Sequence, residues 1–187
     1  RSSKTKPSCN VVWITGLSGS GKSSLANELA KLFRRQKCPV ILLDGDDLRY
    51  VFDGKAEQNN IYAKEQRVRL ALQYSKLCEV VAKENVLVIV ATISLFDEIH
   101  KRNRSRINGY VEVFLDIPVS ELEKRDPKGL YSRFRAGEIT NVAGLDLEVD
   151  FPTDADFVVN SQNCGVEATA RELFCWIKSN YYLQHYG

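Results

Sequence analysis

Residues Gly16 to Ser23 have the composition and spacing of a phosphate-binding loop. They read Gly-Leu-Ser-Gly-Ser-Gly-Lys-Ser, the pattern G-x-x-x-x-G-K-S of a P-loop. An apolar strand pattern, Val11–Thr15, precedes them, and a helical pattern, Ser24–Lys37, follows them. In that context the glycines let backbone N–H groups turn towards phosphate oxygens, and the helix N-terminus adds a positive dipole end. The loop therefore predicts a bound triphosphate, against the alternative of a chance turn rich in glycine and serine.

The side chains of the loop predict how ATP, as co-substrate, and Mg²⁺, as cofactor, are held. Lys22 is placed to reach the β- and γ-phosphates, and Ser23 to hold Mg²⁺. The residues of the loop expected to bind ATP are Gly16, Ser18, Gly19, Ser20, Gly21, Lys22, Ser23 and Ser24.

Carboxylates follow the next predicted strand, Pro39–Leu43, which is apolar throughout, as is typical of a strand buried on both faces. They are Asp44, Asp46 and Asp47. Ligands of parallel α/β sheets sit at the carboxyl ends of strands, so these acids are site candidates. Capping of a helix that begins near Leu48 is the competing interpretation, and it explains one acid better than three.

The third predicted strand, Val86–Ala91, ends without an acid. Many proteins with this loop carry an Asp there that helps to hold Mg²⁺, but this chain continues with Thr92-Ile93-Ser94. The carboxylates of the site must therefore come from Asp44 and Asp46. We predict Ser23 and Asp44 to be the metal ligands.

Basic side chains occur in two places where they can meet an anion. Arg67 and Arg69 lie in the first turns of the predicted helix Ala63–Glu84, where the alternative is that they are solvated. Residues 126–140 are basic and punctuated by glycines. This composition suits a mobile lid that closes cations over phosphates and excludes water; a charged surface helix is the alternative.

Strands and helices alternate five times along the chain, with later strands at Val111–Leu115 and Asp156–Asn160. The pattern predicts an α/β protein: a three-layer α/β/α P-loop NTPase fold with a five-stranded, mostly parallel sheet and a lid. Residues 1–9 are predicted to be a flexible segment and 10–187 one domain. His100 has no partner in the sequence pattern, so we predict a surface residue.

Composition excludes several classes of protein. The net charge of +2 does not favour binding of nucleic acid, and no apolar run approaches the roughly 18–20 residues of a membrane span. The five cysteines are scattered without zinc spacing, which predicts reduced thiols and a cytoplasmic protein. The chain begins at Arg1 and holds no Met, so we expect it to be trimmed or cut from a longer polypeptide.

Together these features predict phosphoryl transfer, which needs positioning and neutralised charge more than covalent help. The chain is short, lacks an Asn-Lys-x-Asp guanine-reading segment and carries its lid after the fourth strand, which favours a small-molecule kinase. One carboxylate must then accept the proton of an alcohol acceptor. A regulatory module without catalysis and a kinase of nucleic-acid ends are the alternatives.

Several motifs resemble those of the adenylylsulfate (APS) kinases over roughly Val11 to Cys164. They are Trp13–Ser23, Leu43-Asp44-Gly45-Asp46 with Arg49, Ile93-Ser94, Arg125–Tyr131 and Arg135–Ile139. The resemblance implies transfer of the ATP γ-phosphate to the ribose 3′-hydroxyl of APS. It implies that Asp46 is the base and, with Lys22, catalytic, and that Arg125 and Cys164 contact ATP. The residues implied to bind the acceptor are Asp46, Arg49, Tyr62, Arg67, Ile93, Ser94, Lys128, Leu130 and Val142. The resemblance then implies small nucleotides as partners, and a homodimer is one assembly that the chain could form.

The acceptor side departs from that family. The family usually has Phe-Ile-Ser-Pro-Tyr-Arg after the third strand, with the Phe on the acceptor's adenine, where this chain has Thr92 to Asp97. Tyr62 matches a second family aromatic, whereas Leu70 replaces an Asn and Asn141–Gly144 replaces Gly-Phe-Thr-Gly. Loss of one stacking partner removes about 1–3 kcal/mol of base binding. The run is also similar to that of kinases of cytidine diphosphoramidate, which are the alternative.

Overall fold

The computed structural model describes residues 6–53, 64–160 and 165–183. In chain order the elements are β1 (Val11–Gly16), α1 (Lys22–Arg35), β2 (Val40–Asp44), α2 (Gly45–Asp53), α3 (Lys64–Val81), a 3₁₀ turn (Ala82–Glu84), β3 (Leu87–Ala91), α4 (Asp97–Arg106), β4 (Tyr110–Leu115), α5 (Val119–Arg125), α6 (Leu130–Arg135), β5 (Phe157–Val159) and α7 (Val166–Asn180). The predicted alternation of strands and helices is confirmed.

The strands form a five-stranded sheet in the order β2-β3-β1-β4-β5. Each neighbouring pair is parallel, so the predicted fold class is confirmed. Strand β1 is central and pairs with β3 on one side and β4 on the other, with Val12 opposite both Ile89 and Val111. The loop after β1 therefore emerges in the middle of the carboxyl edge, between the ends of β3 and β4, with the end of β2 one strand beyond β3.

Alternation of side chains along β1 divides the core into two layers, because successive residues of a strand point to opposite faces. Val12 and Ile14 pack in the cluster that holds the apolar residues of α1 and α7. Val11 and Trp13 pack in the cluster that holds the inward residues of α3 and α4. The sheet is thus covered on both faces, which completes the predicted three layers.

Strand β2 corrects one expectation from the sequence. Its apolar run predicted burial on both faces, but β2 is an edge strand and Ile41 is 38% exposed. Helix α2 also begins directly at Gly45, not near Leu48, so Asp46 and Asp47 lie in its first turn. Asp44 is the last residue of the strand, and the three acids therefore occupy two different elements.

The prediction that His100 is a surface residue is wrong. Its ring is buried, and Nδ1 lies 2.7 Å from Oε1 of Glu112 on β4. Glu112 is itself buried and accepts a hydrogen bond from the Tyr110 hydroxyl at 2.7 Å. The pairing joins α4 to β4, so helical periodicity within α4 gave no sign of it.

Part of the terminal segment predicted to be flexible contacts the end of the chain. The Tyr182 amide donates to the Pro7 carbonyl at 2.7 Å, and the Cys9 amide donates to the Tyr182 carbonyl at 3.0 Å. Residues 1–5 lie outside the described residues. In the described ranges, no helix has the length and apolar character needed to cross a membrane.

Candidate active site

The P-loop has the backbone that its sequence requires. Gly19 and Gly21 adopt φ angles of 77° and 95°, in the left-handed region that favours glycine. A Cβ on Gly16 would lie 2.8 Å from the Leu115 carbonyl oxygen, so only glycine fits beside β4 there. Gly21 caps α1 without a side-chain hydrogen bond, which leaves the first amides of the helix available for an anion.

Lys22 folds back along the loop. Its Nζ donates to the Leu17 carbonyl at 2.6 Å and approaches the Ser20 hydroxyl at 3.4 Å. Burial and the charge of Lys128 lower the pKa of Lys22 to about 8, against the opposing effect of Asp44 and Asp46. The ammonium group is thus poorly hydrated and close to titration, which makes it responsive to an added negative charge.

Ser23 and Asp44, the predicted metal ligands, contact each other. The Ser23 hydroxyl donates to Asp44 Oδ2 at 2.5 Å, and Asp44 Oδ1 accepts the Asp46 amide at 2.9 Å. A hydroxyl and a carboxylate are hard oxygen donors of the kind that Mg²⁺ prefers. No group of three or more His, Cys, Asp or Glu side chains that could hold a metal occurs in the described part of the chain. By its donor chemistry, the Ser23–Asp44 pair fits a Mg²⁺ ion that takes its remaining ligands from phosphates and water.

Asp46 lies between two cations, one from its own helix α2 and one from the distant lid. Lys128 Nζ donates to its Oδ2 at 2.5 Å, and Arg49 Nη1 lies 3.3 Å from its Oδ1. Burial raises the pKa of Asp46, but the hydrogen bond and charge of Lys128, aided by Arg49 and Lys22, lower it below its usual range. The carboxylate is therefore ionised and can accept a proton.

The lid residues contact the P-loop directly. The hydroxyl of Tyr131, on α6, donates to the Ser18 carbonyl at 2.8 Å. Asp126 accepts the Tyr131 and Ser132 amides at 3.0 and 2.9 Å, so it caps α6 and fixes where that helix begins. Leu130 and Tyr131 are buried, which does not fit the alternative of a charged surface helix. Whether the segment moves stays a prediction.

The loop after β3 closes the other side of the cleft. The Thr15 hydroxyl donates to the Ile93 carbonyl, and the Thr92 and Ser94 hydroxyls lie 2.8 Å apart in a buried pair. Arg67, on α3, donates through Nη2 to the Asn141 carbonyl at 2.5 Å. Two loops and one helix thus meet where the acceptor was predicted to bind.

A cavity of about 390 Å³ joins these parts. The predicted site residues that line it are Ser18, Gly19, Gly21, Lys22, Ser23, Ser24, Asp44, Asp46, Arg49, Arg67, Ile93, Ser94 and Lys128. The predicted site residues that the structure describes but that do not line the cavity are Gly16, Ser20, Arg125, Leu130 and Val142. Arg125 is exposed at the end of α5, whereas Val142 is buried in the apolar core. Tyr62 and Cys164 lie outside the described residues.

Several residues of the cavity wall were not predicted to be site residues, although Leu70 and Ala143 were noted as departures from the family motifs. These wall residues are Leu70, Tyr74, Phe96, Pro127, Ala143, Leu147 and Val149. Leu70 and Tyr74 follow Arg67 at helical spacing, so one face of α3 was a readable signal. The others come from irregular segments, where no period indicates which side chain faces inward.

Comparison of the chain with models of known protein families shows the family to which it belongs. A family model described as adenylylsulphate kinase matches residues 8–160. The chain belongs to the APS kinase family. The resemblance predicted from the motifs is thereby confirmed, and the protein is a phosphotransferase that uses ATP and acts on a hydroxyl group.

Individual relatives of this APS kinase family member divide between two acceptors. Adenylyl-sulfate kinase of Pseudomonas aeruginosa is 34% identical over 172 residues, or 91% of this chain and 86% of that protein. Cytidine diphosphoramidate kinase of Campylobacter jejuni is 37% identical over 151 residues, or 81% of this chain and 85% of that protein. The Mycobacterium tuberculosis APS kinase in complex with AMPPNP and APS has a TM-score of 0.81 at 32% identity, covering 92% of this chain and 99% of that one. The homodimer and the cytoplasmic location stay predictions.

Proposed function

We propose that the protein transfers the γ-phosphate of ATP to the 3′-hydroxyl of adenylyl sulfate. The observation that carries the proposal is the Asp46 carboxylate, which faces the cavity and is held by Lys128 at 2.5 Å and Arg49 at 3.3 Å. The acceptor oxygen forms a bond to the γ-phosphorus as the bond to the β,γ-bridging oxygen breaks. The hydroxyl proton passes to Asp46, and ADP leaves.

On the donor side, the P-loop amides and Lys22 hold the triphosphate. Ser23 and Asp44 would hold Mg²⁺, which when bound neutralises charge on the β- and γ-phosphate oxygens. Lys22 and Lys128 both raise the positive potential around the position of the transferred group. Such fixed charges stabilise a transition state without reorganisation at the moment of reaction.

On the acceptor side, the proposal assigns the charged groups of the acceptor to Arg49, Arg67 and Lys128, which all line the cavity. Ile93 and Ser94 border the acceptor nucleotide. Tyr62 is kept as the remaining stacking partner of the base, on the strength of its match to the family aromatic.

Cytidine diphosphoramidate is the second candidate acceptor, and Thr92 is the observation that favours it. Thr92 occupies the place of the family's stacking Phe, is buried, and has its hydroxyl 2.8 Å from that of Ser94. Two hydroxyls can hydrogen-bond to the edge of a base but offer no aromatic face. The 37% identity to a cytidine diphosphoramidate kinase points the same way.

A coupled ADP-release assay with the two acceptors, each titrated at saturating ATP, tests the proposal. We expect a higher kcat/KM with adenylyl sulfate than with cytidine diphosphoramidate. The reverse order would assign the protein to the second acceptor, and no release with either would refute both.

Substitution of Thr92 tests the basis of the choice. Thr92→Phe restores an aromatic face, so we expect kcat/KM for adenylyl sulfate to rise by about 5- to 150-fold, equivalent to ~1–3 kcal/mol of stacking. The matched variant Thr92→Val keeps the shape and removes the hydroxyl, so it should affect only an acceptor that bonds to that group. Equal effects of Thr92→Phe on both acceptors would mean that residue 92 does not contact the base.

A further inference from the structure

The segment 141–150, which follows the lid, forms a wall of the cavity. Ala143, Leu147 and Val149 line the cavity from this segment. Residues 141–150, all of them described, contain no helix and have one isolated β-bridge, between Ala143 and Leu147. The Leu145 and Leu147 amides donate to the Val142 carbonyl within the segment, and carboxylate side chains hold its two ends.

Asp146 fixes the beginning of this segment. Its Oδ2 accepts the Asn141 amide at 2.8 Å, and its Oδ1 accepts the Val142 amide at 2.6 Å. Asn141 has a φ of 60°, in the left-handed region that non-glycine residues adopt at a cost. The two charge-assisted hydrogen bonds offset that cost and determine where the Asn141 carbonyl points.

The Asn141 carbonyl is the acceptor for Arg67. Arg67 Nη2 donates to it at 2.5 Å across 74 positions of the chain. Burial and the charge of Arg49 lower the pKa of Arg67, and the charge of Asp146 opposes them. Asp146 therefore acts on Arg67 through a fixed carbonyl and through its own charge, while it does not itself line the cavity.

A second carboxylate holds the other end of the segment. Asp150 Oδ2 accepts the Asp97 amide at 3.2 Å, and the Asp150 amide donates to the Leu95 carbonyl at 3.0 Å. The segment is thereby tied to the loop after β3. Asp146 differs from Asp150 in that its bonds lead to a cation of the cavity.

We propose that Asp146 is a positioning residue for the acceptor: by holding the Asn141 carbonyl it sets the place of the Arg67 guanidinium in the cavity. The inference rests on the proposed function insofar as Arg67 contacts the acceptor. It requires that loss of Asp146 weakens acceptor binding and leaves ATP binding intact.

The kinetic test compares Asp146→Ala with Glu148→Gln. Glu148 lies in the same segment, is exposed and has Lys64 at 3.8 Å, so it controls for loss of one charge. For Asp146→Ala we expect the acceptor KM to rise about tenfold or more, with the KM for ATP within about twofold, because two hydrogen bonds to a charged group are lost. The Glu148→Gln variant should match the wild type. Equal rises in both KM values would overturn the inference.

A double-mutant cycle with Arg67→Ala separates this role from a merely structural one. If Asp146 acts through Arg67, the double variant should be no worse in acceptor KM than Arg67→Ala alone. Additive effects would show that Asp146 supports the wall independently of Arg67. Thermal unfolding of each variant checks that it is folded.

A readout without acceptor keeps the inference distinct from the proposed function. In protein labelled at arginine Nε, the Arg67 signal, assigned by its absence in Arg67→Lys, should shift or broaden in Asp146→Ala and persist unchanged in Glu148→Gln. If the wild type turns over neither acceptor, the proposed function fails while this signal still decides the inference. An Arg67 signal unaffected by Asp146→Ala would refute it.

Discussion

Replacement of Asp46 by Asn tests the chemical assignment of the cleft most directly. Asn has nearly the same shape, keeps one oxygen and loses the charge and the capacity to accept a proton. In the structure that oxygen pair meets Lys128 at 2.5 Å and Arg49 at 3.3 Å. The substitution therefore removes the proposed base while it changes the packing of α2 very little.

The size of the expected loss follows from the state of the carboxylate. General-base catalysis contributes about 10²–10⁴-fold. The cations around Asp46 hold its pKa below the usual range, which makes it a weak base, and phosphoryl transfer demands little proton removal early in the reaction. We therefore expect kcat to fall by about 10²-fold, near the lower end, equivalent to ~2.7 kcal/mol.

Binding and stability should respond differently from turnover. The Lys128–Asp46 pair has side chains that are 52% and 46% exposed, so its loss should cost at most ~1 kcal/mol of stability. Removal of a negative charge beside Lys22 and Lys128 should leave ATP affinity equal or higher. The test is kcat by ADP release, ATP affinity by calorimetry and a thermal melt, all on one preparation.

Asp47→Asn is the matched control, because Asp47 is exposed in the same first turn of α2. It removes the same charge next to the same helix N-terminus. If Asp46→Asn retains turnover within a few-fold of wild type, Asp46 is not the base. If Asp47→Asn loses as much activity as Asp46→Asn, the loss of turnover results from removal of a negative charge at the N-terminus of α2.

Two further predictions concern pH and stability. Burial and the charge of Lys128 bring the pKa of Lys22 to about 8, so kcat/KM for ATP should fall about tenfold per pH unit above that value. The pH profile of Lys22→Arg should lack this alkaline decline. A flat wild-type profile up to pH 10 would contradict the role assigned to Lys22. Glu112 is buried against His100 at 2.7 Å, so Glu112→Ala should lower the free energy of unfolding by about 3–5 kcal/mol. The measurement is a urea titration, with Glu121→Ala, at a partly exposed glutamate, as the control. Burial raises the pKa of Glu112, but His100 and its other partners lower it below the usual 4.5. The free energy of unfolding of the wild type should therefore decline as pH falls through that lowered pKa. A loss below ~1 kcal/mol in Glu112→Ala would refute the stabilising role of Glu112.

The P-loop and its strand and helix were predictable because their signals are local. Gly19 and Gly21 adopt the left-handed φ angles that only glycine accepts without strain, and the motif names them by spacing alone. Asp44 was predictable for a related reason, since it ends a strand whose apolar run is visible. Each of these residues depends on neighbours within a few positions.

Sequence patterns could not predict the residues whose roles depend on partners far away along the chain. His100 was predicted at the surface because Glu112 reaches it only when β4 pairs with β1. Asp146 was not singled out in the sequence, because the role proposed for it depends on the Asn141 backbone and the Arg67 side chain on another element. Leu147 and Val149 lie in an irregular segment, where no periodicity marks the inward side.

By itself, the sequence determined a loop of the phosphate-binding type, an acid at the end of β2 and an α/β sheet that positions both, because backbone geometry and hydrophobic periodicity are local properties. Tertiary structure decided which charges share the cleft. Lys128 reaches Asp46 and Arg67 reaches the Asn141 carbonyl only after the sheet has formed. Electrostatic interactions depend on distance in space, and the distance along the chain does not determine it.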